Sequence, residues 1–296
     1  MGTSVAHLQK ILDRFRVTDG RKLRLADIDP ADTTGLDLAK DEAETILARD
    51  VKRLAELQAL LYAQDRWSLL CVLQAMDAGG KDGTISHVMR AMNPQGVSVS
   101  RFEAPTPEER AHDFLWRIHS KVPRLSQVGV FNRSHYEDVL ISRVHKAIDK
   151  ATCKSRYAQI RDFEAELLDN GTHILKFFLH ISKEEQLARF AQRLEDPHRN
   201  WKISEADYKE RAFWDDYMDA YEEAMGATST KHAPWFVIPS NHKWFRNLAI
   251  SQIVAETMAD FGMKYPKPSV DLAKIRREYH AAAVAEANGK KKKLKG

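Results

Sequence analysis

The stretch at residues 67–96, WSLLCVLQAMDAGGKDGTISHVMRAMNPQG, constrains the fold of this chain more than any other part of the sequence. Residues 69–73 form a continuous apolar run, which is typical of a buried parallel strand, and residues 84–92 are compatible with a helix. A short loop with an acid, two glycines and a lysine joins them. This order of strand, glycine-containing loop and helix predicts a phosphate-binding loop.

The loop departs from the usual pattern G-x-x-x-x-G-K-[ST], because Ala75 replaces the first glycine and Asp82 replaces the serine or threonine. Asp77 is also unusual, since a carboxylate among backbone donors would repel phosphate unless a divalent cation lay between them. Mg²⁺ typically binds phosphate sites through one or two carboxylates and water. We therefore expect Asp77 to hold Mg²⁺ and Lys81 to contact phosphate. The alternative is an ordinary strand-to-helix turn with Gly80 and Lys81 exposed.

The composition is that of a soluble globular protein, with 30% charged and 43% hydrophobic residues in a chain of 296. This length suits one α/β domain with appended helices. The formal net charge of +4 is unevenly distributed, because a run of lysines lies near the C-terminus: Lys290, Lys291, Lys292, Lys293 and Lys295. We expect a solvated tail with at most nonspecific attraction for polyanions, and no specific nucleic-acid partner.

Cysteine and histidine usage predicts no disulfide and no zinc site. Cys71 and Cys153 are far apart in sequence and are expected to be reduced packing residues. The histidines are scattered without cysteine partners at metal-site spacing. No signal-peptide pattern opens the chain, and no apolar run approaches the roughly 20 residues that a membrane span needs. We expect a cytoplasmic protein that does not bind membranes.

Three segments are predicted: an N-terminal extension (1–40), a main domain that contains the phosphate-binding loop (41–265) and a C-terminal segment with the lysine-rich tail (266–296). Within the domain, amphipathic patterning predicts helices at residues 40–64, 107–119, 135–145 and 244–261. Apolar and β-branched runs predict further strands at residues 97–102, 128–132, 173–181 and 235–239. Strands that alternate with helices predict an α/β fold with a parallel sheet covered on both faces.

Residues 183–225 are strongly charged and predict a helical lid over the carboxyl edge of the sheet, where ligands bind in such folds. Two helical pieces are expected, joined at Asp196 and Pro197. Arg189 and Arg193 share one helix face and could close on a polyanion. The alternative is that both pair with neighbouring glutamates on an exposed helix. Four aromatic residues are expected to pack the lid helices together: Trp201, Phe213, Trp214 and Tyr217.

The segment QVGVFNRSHYEDVL at residues 127–140 ends an apolar strand in Asn132 and Arg133, which should emerge beside the phosphate-binding loop. The amide oxygen of Asn132 could meet Mg²⁺, and the planar fork of Arg133 matches phosphate oxygens. The alternative is that Asn132 caps the next helix and Arg133 is solvated. Glu137 and Asp138 could bind a second cation or position an acceptor, but exposed surface acids are the preferred interpretation.

Five longer segments occur in order across residues 42–258: LLCVLQAMDAGGKDGT, NPQGVSVSRFEAPTPEERAHDFLWRIHSKVP, GVFNRSHYEDVLISRVH, EDPHRNWKISEADYKER and APWFVIPSNHKWFRNLAIS. Together they resemble the second family of polyphosphate kinases, and specifically its class III members, which move phosphoryl groups from inorganic polyphosphate to AMP and ADP. Many relatives outside class III carry aspartate at the position of Asn132. This departure, together with Glu137, points to class III.

The resemblance implies a P-loop kinase-like, thymidylate-kinase-like fold, which is a three-layer α/β/α sandwich with a parallel sheet and a helical lid. It also implies Mg²⁺, with Mn²⁺ as an alternative, and a homo-oligomer, either a dimer or a tetramer. The expected catalytic residues are Asp77, Lys81, Arg133 and Arg193, with Asp77 and Asn132 as metal ligands. The candidate phosphate or nucleotide contacts are Ala78, Gly79, Gly80, Asp82, Gly83, Asn132, Glu137, Asp138, Arg189, Lys243 and Arg246.

The expected function is transfer of phosphoryl groups from inorganic polyphosphate to AMP and ADP, which gives ADP and ATP in a reversible reaction. Two other functions remain open at this point. One is an ATP-dependent nucleotide kinase on the same fold, because the loop does not specify the donor. The other is a polyanion-binding module without catalysis, which the acid in the loop disfavours, because pure anion binding gains nothing from a carboxylate that holds metal.

Overall fold

The structure is a computed structural model, and it describes residues 13–36 and 40–293. Residues 1–12, 37–39 and 294–296 lie outside this description, and with them parts of the expected N-terminal extension and Lys295 of the tail. The side chains of residues 40, 41 and 288–293 are also outside it, and the last group includes four lysines of the tail. The chain forms two compact units, residues 1–263 and residues 264–296. The second unit contains the helix Leu272–Lys293.

A parallel sheet organises the first unit. The strands of the described residues are β1 (Ser68–Gln74), β2 (Val97–Arg101), β3 (Val128–Asn132), β4 (Thr172–His180) and β5 (Trp235–Pro239). They pair in the order β2-β3-β1-β4-β5, and every pairing is parallel. Near the carboxyl end of central β1, Leu73 pairs with Asn132 of β3 and with Phe177 of β4. The ends of β1 and β3 therefore open at the same edge.

Helices cover both faces of the sheet. The described helices of the first unit are α1 (Lys40–Gln64), α2 (Lys81–Val88), α3 (Pro107–Ala111), α4 (Trp116–His119), α5 (Glu137–Val144), α6 (Lys150–Asp169), α7 (Lys183–Glu195), α8 (Glu205–Arg211), α9 (Trp214–Thr228) and α10 (Lys243–Asp260), and the helix of the second unit is α11 (Leu272–Lys293). Helix α10 packs against α1, while α9 packs against α5 and α6.

The alternation of side chains along β1 produces two hydrophobic cores. Leu70 and Val72 belong to one core cluster, and Leu69, Cys71 and Leu73 belong to the other. Successive residues of a strand point to opposite faces, so a fully apolar strand needs helices on both sides. The parallel sheet and its two helical layers confirm the expected three-layer α/β/α fold.

Part of the expected N-terminal extension packs on the sheet. The backbone N–H of Val17 donates to the carbonyl of Trp235 at 2.9 Å, and that of Val237 donates to the carbonyl of Phe15 at 2.9 Å. Arg16 and Phe236 form an antiparallel bridge. This segment therefore covers the edge of β5, which would otherwise present unpaired backbone groups.

Three helical segments differ from the expectation. The helix expected at residues 107–119 is divided into α3 and α4, because His112 is extended and the Asp113 side chain accepts a hydrogen bond from the backbone of Leu115. Helix α6 was not expected. The lid segment contains three α-helices rather than two, so the expectation of two pieces was wrong. Helix α9 packs into the core with buried Trp214, Tyr217 and Tyr221, whereas α8 has no buried residue among those described.

Two smaller expectations concern cysteines and membranes. Cys71 and Cys153 are both buried free thiols, as expected for packing residues. Among the helices that the structure describes, none has the combination of length and apolar character that a membrane span requires.

Candidate active site

The loop between β1 and α2 has a conformation that requires small residues. Ala78 and Gly80 have positive φ angles of 60° and 105°, in the left-handed region that glycine adopts most readily. A Cβ atom on Gly79 would lie 2.5 Å from the Cβ atom of Ala75, and one on Gly80 would lie 1.9 Å from Nη1 of Arg246. Both glycines are therefore needed for the loop to pass this close to its neighbours.

Helix α2 begins at Lys81 and leaves backbone donors at its N-terminus. The first intrahelical hydrogen bond runs from the N–H of Thr84 to the carbonyl of Gly80 at 2.9 Å, and the earlier N–H groups have no partner within the helix. The Lys81 ammonium donates to the carbonyl of Ala75 at 2.9 Å. Burial, followed by the charge of Arg133, lowers the pKa of Lys81. The helix terminus and Lys81 together form a site suited to phosphate.

The end of β3 brings the second pair of expected site residues to the loop. Arg133 has a positive φ of 62°, and its Nη2 lies 3.2 Å from Oδ1 of Asp77. Asn132 is 8% exposed, and its Nδ2 donates to Oδ1 of Asp82 at 2.8 Å. The structure thus brings Asp77, Asp82, Asn132 and Arg133 together at one edge of the sheet.

Glu137 and Asp138 are not exposed surface acids, so the preferred interpretation from sequence was wrong. Both are half-buried, because the first turn of α5 packs directly after β3. Glu137 lines a cavity with Asp77 and Arg133, and burial raises the pKa of Glu137 although Arg133 opposes this shift. Asp138 instead pairs with Arg117, with 3.4 Å between Oδ2 and Nη2, and burial raises its pKa.

The two lid arginines have different surroundings. Arg193 is half-buried, lines a cavity with Lys81 and Arg133, and donates to the carbonyl of Lys202 at 2.8 Å. Arg189 is only 5% exposed, and its guanidinium is bonded to main-chain carbonyls and, at 2.7 Å, to Glu185. The structure therefore gives Arg189 a different environment from the expected polyanion contact, because its donors already have protein partners.

Lys243 and Arg246 lie in the first turn of α10, and Arg246 approaches Gly80 of the loop. Arg246 is 3% exposed, and its Nε and Nη2 donate to Oδ1 of Asn247 at 3.1 and 2.9 Å. Burial, with a smaller contribution from Arg189, lowers the pKa of Arg246 to about 10. Lys243 is exposed, and its pKa is lowered by partial burial and by Arg189. An anion near these cations would be favoured electrostatically.

Two cavities meet at the loop, and we name them by their linings. The basic cavity has a volume of about 300 Å³ and its cationic lining consists of Lys81, Arg101, Arg133, Arg193 and Lys202. The acidic cavity has a volume of about 320 Å³ and is lined by acids and tyrosines, among them Glu137, Asp207, Glu210, Tyr217 and Tyr221. Asp77 and Arg133 at the sheet edge, and Ser204 and Asp207 in the lid, line both cavities. Asp77 and Arg133 are therefore among the residues placed where molecules in the two cavities would meet.

Asp77 is the residue best suited to a divalent cation. Within the part of the chain that the structure describes, no group of three or more histidine, cysteine, aspartate or glutamate side chains could hold a metal. A cation at Asp77 would therefore complete its coordination with phosphate oxygens and water, as Mg²⁺ commonly does. Nδ2 of Asn132 donates to Asp82, and its Oδ1 is the atom that could meet such a cation, because an amide nitrogen is a donor only. The residues present fit a cation shared with phosphate.

Sequence reasoning missed several residues of the two cavities. Arg101 ends β2 at the same edge as Asn132, so its position at a strand end was a usable signal. Trp201 was expected to pack the lid, but it is 74% exposed and lines the basic cavity. Phe213 is also exposed at 37%, whereas Trp214 and Tyr217 are buried as expected. Side-chain direction in the short lid elements could not be inferred from spacing.

Comparison with known proteins connects this geometry to a family. Residues 37–266 match the sequence profile of the family described as Polyphosphate kinase 2 (PPK2). The chain is 47% identical over 264 residues to the AMP/ADP-polyphosphate phosphotransferase of Meiothermus ruber, which covers 89% of this chain and 99% of that protein. It is 45% identical over 266 residues to the ADP-polyphosphate phosphotransferase of Rhodopseudomonas palustris, covering 86% of this chain and 92% of the relative.

A solved structure agrees with the sequence comparison. The crystal structure of Polyphosphate Kinase 2 from Arthrobacter aurescens TC1 superposes with a TM-score of 0.87 at 47% sequence identity, and the match covers 93% of this chain and 96% of that chain. The match therefore takes in nearly the whole of both chains. The chain therefore belongs to the polyphosphate kinase 2 family.

Proposed function

We propose that the protein transfers phosphoryl groups from inorganic polyphosphate to AMP and ADP, giving ADP and ATP in a reversible reaction. The observation that carries this proposal is the meeting of a basic and an acidic cavity at Asp77 and Arg133. Two anionic substrates held in adjoining cavities could exchange a phosphoryl group at that boundary. The names of the relatives from Meiothermus ruber and Rhodopseudomonas palustris support polyphosphate as the donor.

The basic cavity suits the polyphosphate end, because its cations offset the charge that each phosphate carries. Lys81 and the N-terminus of α2 hold the terminal phosphate, while Arg133 and Arg193 contact its oxygens from the β3 and lid sides. In this arrangement Arg193 acts as the lid arginine, and the positive charges of Lys243 and Arg246 in α10 attract the remaining phosphates of the polyphosphate. Asp82 and Asn132 keep the wall of the cavity in place through their hydrogen bond of 2.8 Å.

The reaction needs positioning and charge stabilisation rather than a covalent protein intermediate. An oxygen of the acceptor phosphate attacks the terminal phosphorus of polyphosphate, and the bond from that phosphorus to its bridging oxygen breaks. The shortened polyphosphate leaves with the electron pair on that oxygen. Because a nucleotide phosphate is already an oxyanion near neutral pH, no histidine is required as a general base. Lys81, Arg133 and Arg193 stabilise the charge that spreads over the transferred group.

Mg²⁺ bound at Asp77 would supply further positive charge between the two substrates, and Mn²⁺ is an alternative. Asp77 is the proposed protein ligand, with Asn132 contributing through Oδ1, directly or through water. Glu137 lines the acidic cavity near Asp77, which supports a role in positioning the acceptor. We also propose that the protein acts in the cytoplasm as a dimer or a tetramer.

Phosphorus NMR tests this function directly. The purified protein is incubated with polyphosphate, Mg²⁺ and AMP, and we expect ADP signals to appear first and ATP signals later. A parallel incubation replaces polyphosphate with a nucleoside triphosphate other than ATP. If the nucleoside triphosphate acts as donor and polyphosphate does not, the protein is a nucleotide kinase of the ATP-dependent kind, which uses a nucleoside triphosphate as donor. Binding of polyphosphate that weakens steeply with salt, survives loss of Asp77 and produces no ADP would identify a polyanion-binding module.

A further inference from the structure

Side chains of lid helix α7 donate hydrogen bonds to the carbonyl groups of the phosphate-binding loop. Nε2 of Gln186 donates to the carbonyl of Asp77 at 3.0 Å. Nη1 of Arg189 donates to the carbonyls of Ala78 and Gly79 at 2.9 and 3.2 Å. Three consecutive carbonyls of the loop therefore have their partners on one helix.

Arg189 also ties the loop to the end of the sheet. Its Nη2 donates to the carbonyls of Ser240 and Asn241 at 2.6 and 3.3 Å, and its Nε donates to Glu185 at 2.7 Å. A guanidinium has five N–H donors in a fixed planar arrangement, and these contacts together with those to the loop engage all of them. Because Arg189 is 5% exposed, its geometry is fixed by protein partners and not by solvent.

Because each peptide is planar, the hydrogen bonds to the loop carbonyls also set the direction of the N–H groups in the same peptides. In a planar trans peptide the C=O and N–H bonds point in opposite directions. The bond from Gln186 to the Asp77 carbonyl therefore turns the N–H of Ala78 away from α7, and the bond from Arg189 to the Gly79 carbonyl does the same for the N–H of Gly80. A phosphate-binding loop needs its N–H groups to face the anion.

Gln186 connects the loop to a second lid helix. Nη1 of Arg211 in α8 donates to Oε1 of Gln186 at 2.9 Å and to the carbonyl of Lys183 at 2.6 Å. Gln186 is 1% exposed, and its two partners fix the amide orientation, since the oxygen faces a donor and the nitrogen faces the Asp77 carbonyl. One buried amide thus lies between α8 and the peptide that carries Asp77.

We propose that Gln186 and Arg189 are positioning residues that set the peptide planes of the phosphate-binding loop, and that Gln186 couples the position of lid helix α8 to Asp77. This inference rests on the proposed function insofar as Asp77 and the loop N–H groups act on phosphate. Neither Gln186 nor Arg189 is proposed to contact the substrate. Displacement of reacting groups by about 1 Å can lower a rate by about 100-fold, so a shift of the loop should affect turnover strongly.

The test uses three full-length variants and a matched control. Gln186→Glu keeps an acceptor for Arg211 but loses the donor to the Asp77 carbonyl. Gln186→Met removes both hydrogen bonds with little change in volume. Arg189→Lys keeps the charge but loses the planar fork. The control is Gln192→Glu, the same substitution on an exposed position of the same helix.

Hydrogen–deuterium exchange of the loop peptide provides a readout that does not depend on activity. The amide of Gly79 is protected by its hydrogen bond to the carbonyl of Met76 at 3.0 Å, and we expect this amide to exchange faster in the Gln186 and Arg189 variants and at an unchanged rate in Gln192→Glu. We also expect kcat for AMP phosphorylation to fall by about 10-fold to 100-fold, with a smaller change in KM and a higher Mg²⁺ concentration for half-maximal rate.

Two results are distinguished by this design. Loop exchange that matches the unaltered protein in every variant that folds would overturn the positioning role, whether or not the protein transfers phosphate. Absence of transfer in the unaltered protein would overturn the proposed function, and the exchange data would still decide the role of Gln186. If one variant does not fold, the others decide the outcome, because Gln186→Glu and Gln186→Met both remove the hydrogen bond to the Asp77 carbonyl, and Arg189→Lys alters those to the Ala78 and Gly79 carbonyls.

Discussion

At the scale of single residues, the site places two non-glycine residues in the left-handed backbone region. Ala78 has φ of 60° and Arg133 has φ of 62°, and such conformations cost roughly 1–3 kcal/mol each. The peptide N–H of Arg133 donates to the carbonyl of Leu73 at 3.1 Å, which holds this turn against β1. The strained turns bring the side chains of Asp77 and Arg133 into contact, so the strain is located where the two cavities meet.

Lys81 and Arg133 should contribute to turnover rather than to folding. Lys81→Met removes the positive charge at the loop, and Arg133→Ala removes the guanidinium group that lines both cavities. Loss of one such preorganised group typically costs about 100-fold to 1,000-fold in rate, and we expect decreases of this size in steady-state assays with polyphosphate and AMP. Lys52→Met, at an exposed position of α1, serves as the control. Near-normal rates in both site variants would contradict the site assignment.

Several site residues could be predicted from sequence because they follow strands. Asp77 and Lys81 come after β1, Asn132 ends β3 and Arg133 comes after it. Because the carboxyl ends of parallel strands lie at one edge of the sheet, these four residues were expected to lie at the same edge. Arg189 could not be assigned correctly, because the sequence does not show which carbonyls need donors. Arg189 pairs with Glu185 in the structure, but the alternative weighed from sequence placed such pairs on an exposed helix, whereas Arg189 is buried.

At the scale of elements, the strands were more predictable than the helices. Continuous apolar runs marked β1, β3 and β5 closely, since these strands are buried on both faces. Helix α6 was not predicted, although its buried residues recur every three or four positions: Cys153, Tyr157, Ile160, Phe163 and Leu167. The lid helices could not be counted correctly, because local turns separate short charged helices, such as the turn after α7 in which the His198 N–H donates to the Asp196 carboxylate.

A buried ion pair joins β4 to α6. Lys176 occupies a core position of β4 with 0% exposure, and its ammonium lies 2.5 Å from Oε2 of Glu164, which is 3% exposed. The Tyr136 hydroxyl donates to Glu164 at 2.9 Å, and Lys176 also donates to the carbonyl of Thr228 at 2.9 Å. Burial alone would raise the pKa of Glu164, but Lys176 and His135 outweigh it and hold this pKa below its usual value.

Glu164→Gln should destabilise the fold, because it leaves the Lys176 charge buried without its partner. Breaking such a pair costs about 3 kcal/mol or more, and we expect that loss in the free energy of unfolding at pH 7, measured by denaturant titration. Since the pKa of Glu164 is lowered in the folded state, its contribution is present at neutral pH and is lost as the pH falls below the ordinary value of 4.5.

The difference between the unaltered protein and Glu164→Gln should therefore narrow as the pH is lowered from 5 toward 3. Glu166→Gln, an exposed position two residues along the same helix, is the control and should unfold like the unaltered protein. A stability difference that stays constant over this pH range would show that the carboxylate charge is not the stabilising element.

At the scale of the whole molecule, the apolar cores are confined to the first unit. Every buried hydrophobic residue of the described chain lies between Phe15 and Met258, within residues 1–263. The lysine run at residues 290–295 belongs to the second unit. Removal of residues 266–296 therefore takes away positive charge without taking away a core residue.

A chain that ends at residue 265 should keep both its fold and its maximal rate. We expect a thermal midpoint within about 2 °C of the full-length protein, because a loss of about 1 kcal/mol would already shift the midpoint of a domain of this size by about that amount. The KM for polyphosphate should rise at low salt and converge with the full-length value at high salt, since long-range attraction is screened beyond about 8 Å at physiological ionic strength. A full-length variant with the five tail lysines changed to glutamine isolates the charge and should behave like the truncated chain. A large fall in the midpoint, or loss of turnover at saturating substrate, would instead show that the second unit supports the catalytic domain.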